Sequence, residues 1–172
     1  KKLPGTVAAY EAVAGHKLNV KAVLFDMDGV LYDSMPLHAR AWKQMCDGQG
    51  IKAEETEFYG FEGMTGSATI NRLFQRQFGH GADEETCRRL YGIKSGLFAS
   101  FGMPHRIRGA RAAVDECLAH GVKTVLVTGS AQNTTLQRLP AEYPGAFELR
   151  ITAHDVKHGK PDPEPYLRGL AL

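Results

Sequence analysis

Three short apolar runs stand out along the chain. Residues 20–25, 122–127 and 148–152 are rich in β-branched side chains and bounded by Gly, Asp or turn residues, which predicts strands. In the first, Ala22, Val23, Leu24 and Phe25 lead straight into Asp26, the reading of a buried parallel strand that meets a turn. Roughly seventy residues of helical periodicity separate the first two runs, far more than an ordinary crossover. Leu37, Ala41, Trp42 and Met45 form one apolar stripe there. Ile70, Leu73, Phe74 and Phe78 form a second, and Cys87, Leu90, Tyr91, Leu97, Phe98 and Phe101 a third.

Past residue 105 the pattern alternates. Ile107, Ala110, Val114, Cys117 and Leu118 predict a helix over 107–120 that stops at Gly121. A strand then runs into Thr128-Gly129-Ser130, followed by a helix ending near Pro140, the third strand, and a helix starting near Pro163. The fold class is therefore α/β. A parallel-sheet core from residues 1–35 and 105–172 is interrupted after its first strand by a helical lobe at 36–104.

Polar groups recur where the strands end: Asp26 and Asp28 after the first, Thr128 after the second, Lys160 after the third. Parallel strands carry their carboxyl ends to one edge, so these groups converge although they are far apart in sequence. Two carboxylates, a hydroxyl and an ammonium are what phosphoryl transfer asks for: a nucleophile, a charge-neutralising cation and donors for the phosphoryl oxygens. Taken singly, each has a plainer explanation as a turn residue, a helix N-cap or a surface lysine. Their joint placement at three strand ends favours a site.

Composition narrows the picture modestly. With 172 residues, 43% of them hydrophobic, the chain can build one sizeable core. Its net charge of +2 is scattered, with no basic stripe interleaved by aromatics, which argues against nucleic acid as a partner. Cys46, Cys87 and Cys117 are odd in number and widely spaced, as free thiols in a reducing compartment would be. Tyr10 and Glu11 interrupt the apolar residues near the amino terminus, and no run approaches membrane-spanning length. These features predict a cytoplasmic protein with no membrane partner, and leave the oligomeric state open.

The run VLFDMDGVLYDS, the strand end VLVTGS and the segment GKPDPEPY, in that order, resemble the haloacid dehalogenase superfamily, from residue 20 onward. The subgroup with an inserted helical cap, which includes β-phosphoglucomutase and sugar-phosphate phosphatases, is the nearest. Its namesake dehalogenases lack the second aspartate, so Asp28 points to the phosphate-handling branch. The resemblance implies a Rossmann-like core and the following roles. Asp26 attacks phosphorus and forms an aspartyl-phosphate, and Asp28 is general acid and then base. Mg²⁺ is held by the Asp26 carboxylate and the Asp28 backbone carbonyl. Thr128, Gly129 and Ser130 bind phosphoryl oxygens, and Lys160 neutralises charge. In the lobe, His38 falls where the mutase branch places a histidine near the domain junction and Lys94 matches a substrate-contacting lysine; the plainer readings are a partly buried helix-start histidine and a lysine that snorkels to solvent. The segment Glu62-Gly63-Met64-Thr65-Gly66 resembles the substrate-contact loop, with Thr65 as a binding residue. That loop usually carries an arginine where this chain has Gly66, which weakens the mutase assignment.

Two patterns carry less. His154 and His158 bracket Asp155 at a metal-like spacing but lie in an irregular stretch, and Gly159-Lys160 lacks the rest of a Walker loop. Relatives continue past the position of Leu172 through another strand and acids that complete the Mg²⁺ site, so the intact protein is expected to be longer than this sequence. A mass measurement checks that. Three functions follow: a Mg²⁺-dependent phosphatase of a small phosphorylated metabolite, such as a sugar phosphate; a β-phosphoglucomutase; or a non-catalytic relative that kept the fold.

Overall fold

The three strands form in the computed structural model, which describes residues 3–15, 17, 19–130 and 133–172. They are β1 (Ala22–Phe25), β2 (Lys123–Val127) and β3 (Leu149–Ile151). They pair in parallel in the order β1-β2-β3, with Phe25 beside Leu126 and Val127 beside Ile151. Each is a residue or two shorter than its apolar run. Val20, for example, lies outside the ladder and is exposed. One face of the sheet packs Phe25 and Leu126 against Val114, Leu139, Tyr143 and Phe147, and the other buries Val125, Val127 and Ile151. This is the expected parallel-sheet α/β class.

The helices are α1 (Leu3–Ala14), α2 (Met35–Gly48), α3 (Gly66–Phe78), α4 (Glu84–Ser100), α5 (Ala110–Ala119), α6 (Asn133–Glu142) and α7 (Glu164–Leu170), with a 3₁₀ turn at Glu55–Phe61. The sequence reading assigned nothing to α1. Its apolar residues show little one-sided pattern, and Val13 is 90% exposed, so periodicity carried no signal. Helix α5 begins at Ala110 and not at residue 107, because Gly109 holds φ at 90°, outside helical space. Helix α6 runs past Pro140 to Glu142, where the sequence predicted a stop. The Tyr143 N–H still reaches the Leu139 carbonyl at 2.7 Å, so helical hydrogen bonding resumes beyond the ring.

One buried cluster draws only on residues between Ala39 and Leu97. Trp42, Met45, Ile70, Leu73 and Leu90 meet inside α2, α3 and α4. All three apolar stripes contribute to it, although Leu37 and Phe101 are only partly buried and lie outside it. Phe78 is 47% exposed and stacks on His80 instead of entering the core. Helices α3 and α4 start where side chains offer caps, Thr65 Oγ1 accepting from the Ala68 N–H and Asp83 Oδ1 from the Thr86 N–H. The chain leaves and re-enters the sheet side by side. The Asp33 N–H donates to the His105 carbonyl and the Ile107 N–H to the Leu31 carbonyl. Cys46, Cys87 and Cys117 are buried free thiols. No helix among the described residues is long and apolar enough to cross a membrane.

Candidate active site

Beyond β1 the chain turns sharply around Met27, which is fully buried and whose carbonyl accepts from the Leu31 and Tyr32 N–H groups. Gly29 sits at φ 79°, a conformation that costs glycine nothing, and its N–H closes the turn on the Tyr32 carbonyl. Tyr143 pins the turn from below, donating from its hydroxyl to the Leu31 carbonyl at 3.2 Å. This anchoring aims Asp26 and Asp28 beyond the sheet edge. Lys160 arrives from the loop between β3 and α7. Its Nζ lies 3.0 Å from Asp26 Oδ1 and donates to the Val127 carbonyl, also at 3.0 Å. Burial pushes the Asp26 carboxyl above its ordinary range; the Lys160 charge and hydrogen bond only partly offset it.

Asp28 faces the helical lobe. Its Oδ1 accepts from Ser34 Oγ at 2.6 Å and pairs with His38 Nε2 at 3.1 Å. His38 Nδ1 in turn lies 2.6 Å from Lys94 Nζ. One proton arrangement satisfies all three contacts: Lys94 donates to Nδ1, and Nε2–H donates to Asp28. Burial works to raise the Asp28 pKa, but the His38 and Ser34 hydrogen bonds with the neighbouring charges overcome it and hold the carboxyl low. Burial also lowers the His38 pKa, which suits a neutral ring stacked 4.2 Å from Phe98. Lys94, 2% exposed and ringed by Trp42, Tyr91 and Phe98, is pushed by burial down to about 7.

Between the two walls lies a cavity of about 50 Å³, enough for a few waters. Asp26, Asp28, His38, Lys94, Thr128, Gly129 and Ser130 all line it. Thr128 Oγ1 accepts from the Ser130 N–H at 3.0 Å, tightening the loop after β2. Thr65 has a different place. It caps α3, and its methyl presses on Gly159, while its neighbours Met64 and Gly66 line the cavity. The lobe loop seats closely on the sheet edge. A Cβ on Gly129 would lie 2.3 Å from the Gly63 carbonyl oxygen, and one on Gly63 would lie 2.8 Å from Lys160 Cδ. Ser34, bonded to Asp28, and Glu62, which lines the cavity, carried no assigned role in the sequence reading. Ser34 lies within the first motif but at no diagnostic spacing. Glu62 was noted only as part of its loop. His154 and His158 are exposed and contribute backbone N–H donors, to Thr152 and Glu164.

Among the described residues, no group of three or more His, Cys, Asp and Glu side chains is placed to hold a metal. The chemistry of the edge nonetheless fits Mg²⁺. Asp26 is a hard oxygen donor whose burial one lysine does not fully offset, and Mg²⁺ commonly binds through one or two carboxylates while keeping water and phosphate ligands. The Asp26 carboxylate and the Asp28 backbone carbonyl are the groups that would hold it.

Comparison with known proteins gives the family. The chain is 30% identical over 163 residues to hexitol phosphatase A of Escherichia coli, covering 90% of this chain and 69% of that protein. It is 28% identical over 149 residues to a phosphorylated carbohydrates phosphatase of Thermotoga maritima, covering 86% and 68% respectively. Its structure superposes on a candidate β-phosphoglucomutase from Bacteroides vulgatus with a TM-score of 0.86 at 40% identity, over 97% of this chain and 69% of that one. The haloacid dehalogenase-like hydrolase model matches residues 20–172. The chain thus belongs to the haloacid dehalogenase-like hydrolases, among the phosphatases and phosphomutases of that family.

Proposed function

We propose that this protein is a Mg²⁺-dependent phosphatase of a small sugar or polyol phosphate, working through an aspartyl-phosphate on Asp26. One observation supports this above the others: Lys160 lies 3.0 Å from Asp26 while Asp28, two residues on, faces the same cavity. Asp26 attacks phosphorus in line with the leaving oxygen, and Lys160 offsets the charge that builds on nucleophile and phosphoryl group. Mg²⁺, when bound, supplies further neutralisation between the anionic reactants. Thr128 and the Gly129–Ser130 backbone orient the phosphoryl oxygens.

Asp28 gives a proton to the leaving alkoxide and later takes one from water. Ser34 and His38 keep this carboxyl low in the free protein. A phosphate dianion beside it raises its pKa and loads it with the proton it must donate. The 36–104 lobe acts as a cap, swinging away to admit substrate and closing to exclude bulk water. Lys94 and His38 both belong to the lobe, and His38 reaches Asp28 when the lobe is seated, so closure sets the geometry of the acid.

The likeness to the candidate mutase from Bacteroides vulgatus supports a second reading, in which a sugar hydroxyl replaces water as acceptor. Incubation with β-glucose 1-phosphate and Mg²⁺ separates the two: the phosphatase releases inorganic phosphate, the mutase yields glucose 6-phosphate. Acid-quench trapping of a phosphorylated protein that disappears in Asp26→Asn tests the shared intermediate. Phosphate release by Asp26→Asn at the wild-type rate refutes both.

A further inference from the structure

Building on the phosphatase reading, we propose that Glu62 is a specificity-determining residue. Its carboxylate, brought by the lobe to the cavity beside Asp26 and Asp28, rejects substrates whose non-reacting part bears a second negative charge. Phosphomonoesters of neutral polyhydroxy compounds remain as the substrate class.

The placement rests on geometry. Glu62 lines the cavity, and its Oε1 lies over the turn after β1, 2.5 Å from where a Cβ on Gly29 would be. Among the described residues it makes no hydrogen bond and no ion pair. Burial pushes its pKa up, and the charges of Asp26 and Asp28 add to that, with Lys160 opposing. A third carboxylate thus stands beside the reacting pair with no hydrogen-bond or ion-pair partner among the described residues.

The cations nearby are already engaged. Lys160 holds Asp26 and the Val127 carbonyl. Lys94, the one lysine lining the cavity among the described residues, is bonded to His38. No described arginine lines it. Position 66 cannot supply one, since a Cβ on Gly66 would fall 2.2 Å from Tyr91 Cδ2, and the ring would have to leave. Trp42, Phe58 and Tyr91 add apolar lining that suits the C–H surface of a polyol. A neutral hydroxylated chain can donate to Glu62, whereas a second phosphate or a carboxylate meets it as a like charge. At a separation of about 6 Å and an effective dielectric near 40, that repulsion amounts to roughly tenfold in affinity.

Glucitol 6-phosphate and 6-phosphogluconate form a matched pair, differing in a terminal CH₂OH against COO⁻. Wild type is expected to favour glucitol 6-phosphate in kcat/KM by at least about tenfold, mostly through KM. Glu62→Gln should cut that preference about tenfold, and Glu62→Lys should invert it. A preference unchanged within twofold in both variants overturns the role of Glu62 while leaving phosphatase activity standing. If wild type releases phosphate from neither compound nor from other phosphomonoesters, the phosphatase reading is what has failed. Calorimetric binding of the same pair then decides on Glu62. A polyol preference lost in Glu62→Gln supports the proposal, and equal wild-type affinities overturn it.

Discussion

Two lysines approach the same pair of aspartates from opposite walls of the cavity, in opposite surroundings. Lys160, on the sheet side, has an anion and a backbone carbonyl within 3.0 Å. Lys94, on the lobe side, has a histidine 2.6 Å away and three aromatic rings within 6 Å, and burial draws it to about 7. Lys160 therefore has a partner that repays its desolvation, and Lys94 does not. A buried ammonium without a carboxylate is a poor contributor to stability, and such groups are commonly retained for function. The sheet wall carries the charge that phosphoryl transfer needs. The lobe wall carries the Lys94–His38 pair, whose far nitrogen meets Asp28 across the cavity.

The sharpest way to break this contrast is to remove what each lysine serves. Asp26→Asn should lower phosphate release by about 10³-fold or more and abolish the trapped phosphoenzyme, because the nucleophile itself is lost. Lys160→Met should cost about 10²-fold in kcat, and Lys94→Met only about tenfold, since Lys94 acts through His38 and Asp28. Equal losses in the two lysine variants would erase the distinction.

Stability should separate them in the other direction. The folded-state pKa of Lys94, about 7, lies below the ordinary 10.5, so between these values the unfolded chain binds the extra proton. Stability from this group rises with pH across that window, and its full cost is present below about pH 7. Thermal melts from pH 7 to 9 should therefore rise for wild type relative to Lys94→Met; parallel curves for the two would contradict the buried, destabilising lysine. The smallest effect belongs to Ser34→Ala. Its hydrogen bond holds the Asp28 carboxyl low, so its loss should move the acid limb of the pH–rate profile upward with less than about tenfold loss of rate. An unmoved limb would leave Ser34 a purely structural neighbour.

Much of this was readable from residue order. Apolar runs ending at Asp26, Thr128 and just ahead of Lys160 predict a shared sheet edge, because parallel strands bring their carboxyl ends together. Periodicity also put Trp42, Leu73 and Leu90 on three apolar stripes, which the structure brings together in one interior. Other features were not readable, for local reasons. Helix α1 shows little one-sided apolar pattern. Pro140 suggested a stop that the fold tolerates. Phe78 satisfied the helical spacing yet found solvent and His80, since spacing records which face a residue shares and not whether another element covers it. Thr65 reads as a substrate contact by its loop alone; the structure adds that its hydroxyl accepts from the Ala68 N–H, a cap that spacing did not announce.

By itself, then, the sequence determined the sheet, its direction, the helical insertion and the acid pair at the first strand's end, all of which follow from local patterning and chain connectivity. Tertiary structure alone decided what those acids face. It brought Lys94 to His38 across 56 residues, emptied position 66 in favour of the Tyr91 ring, and laid an uncommitted Glu62 over the Gly29 turn. The first two depend on how the helices of the lobe pack on one another and the last on how the lobe seats on the sheet edge, and no period within a single helix encodes either.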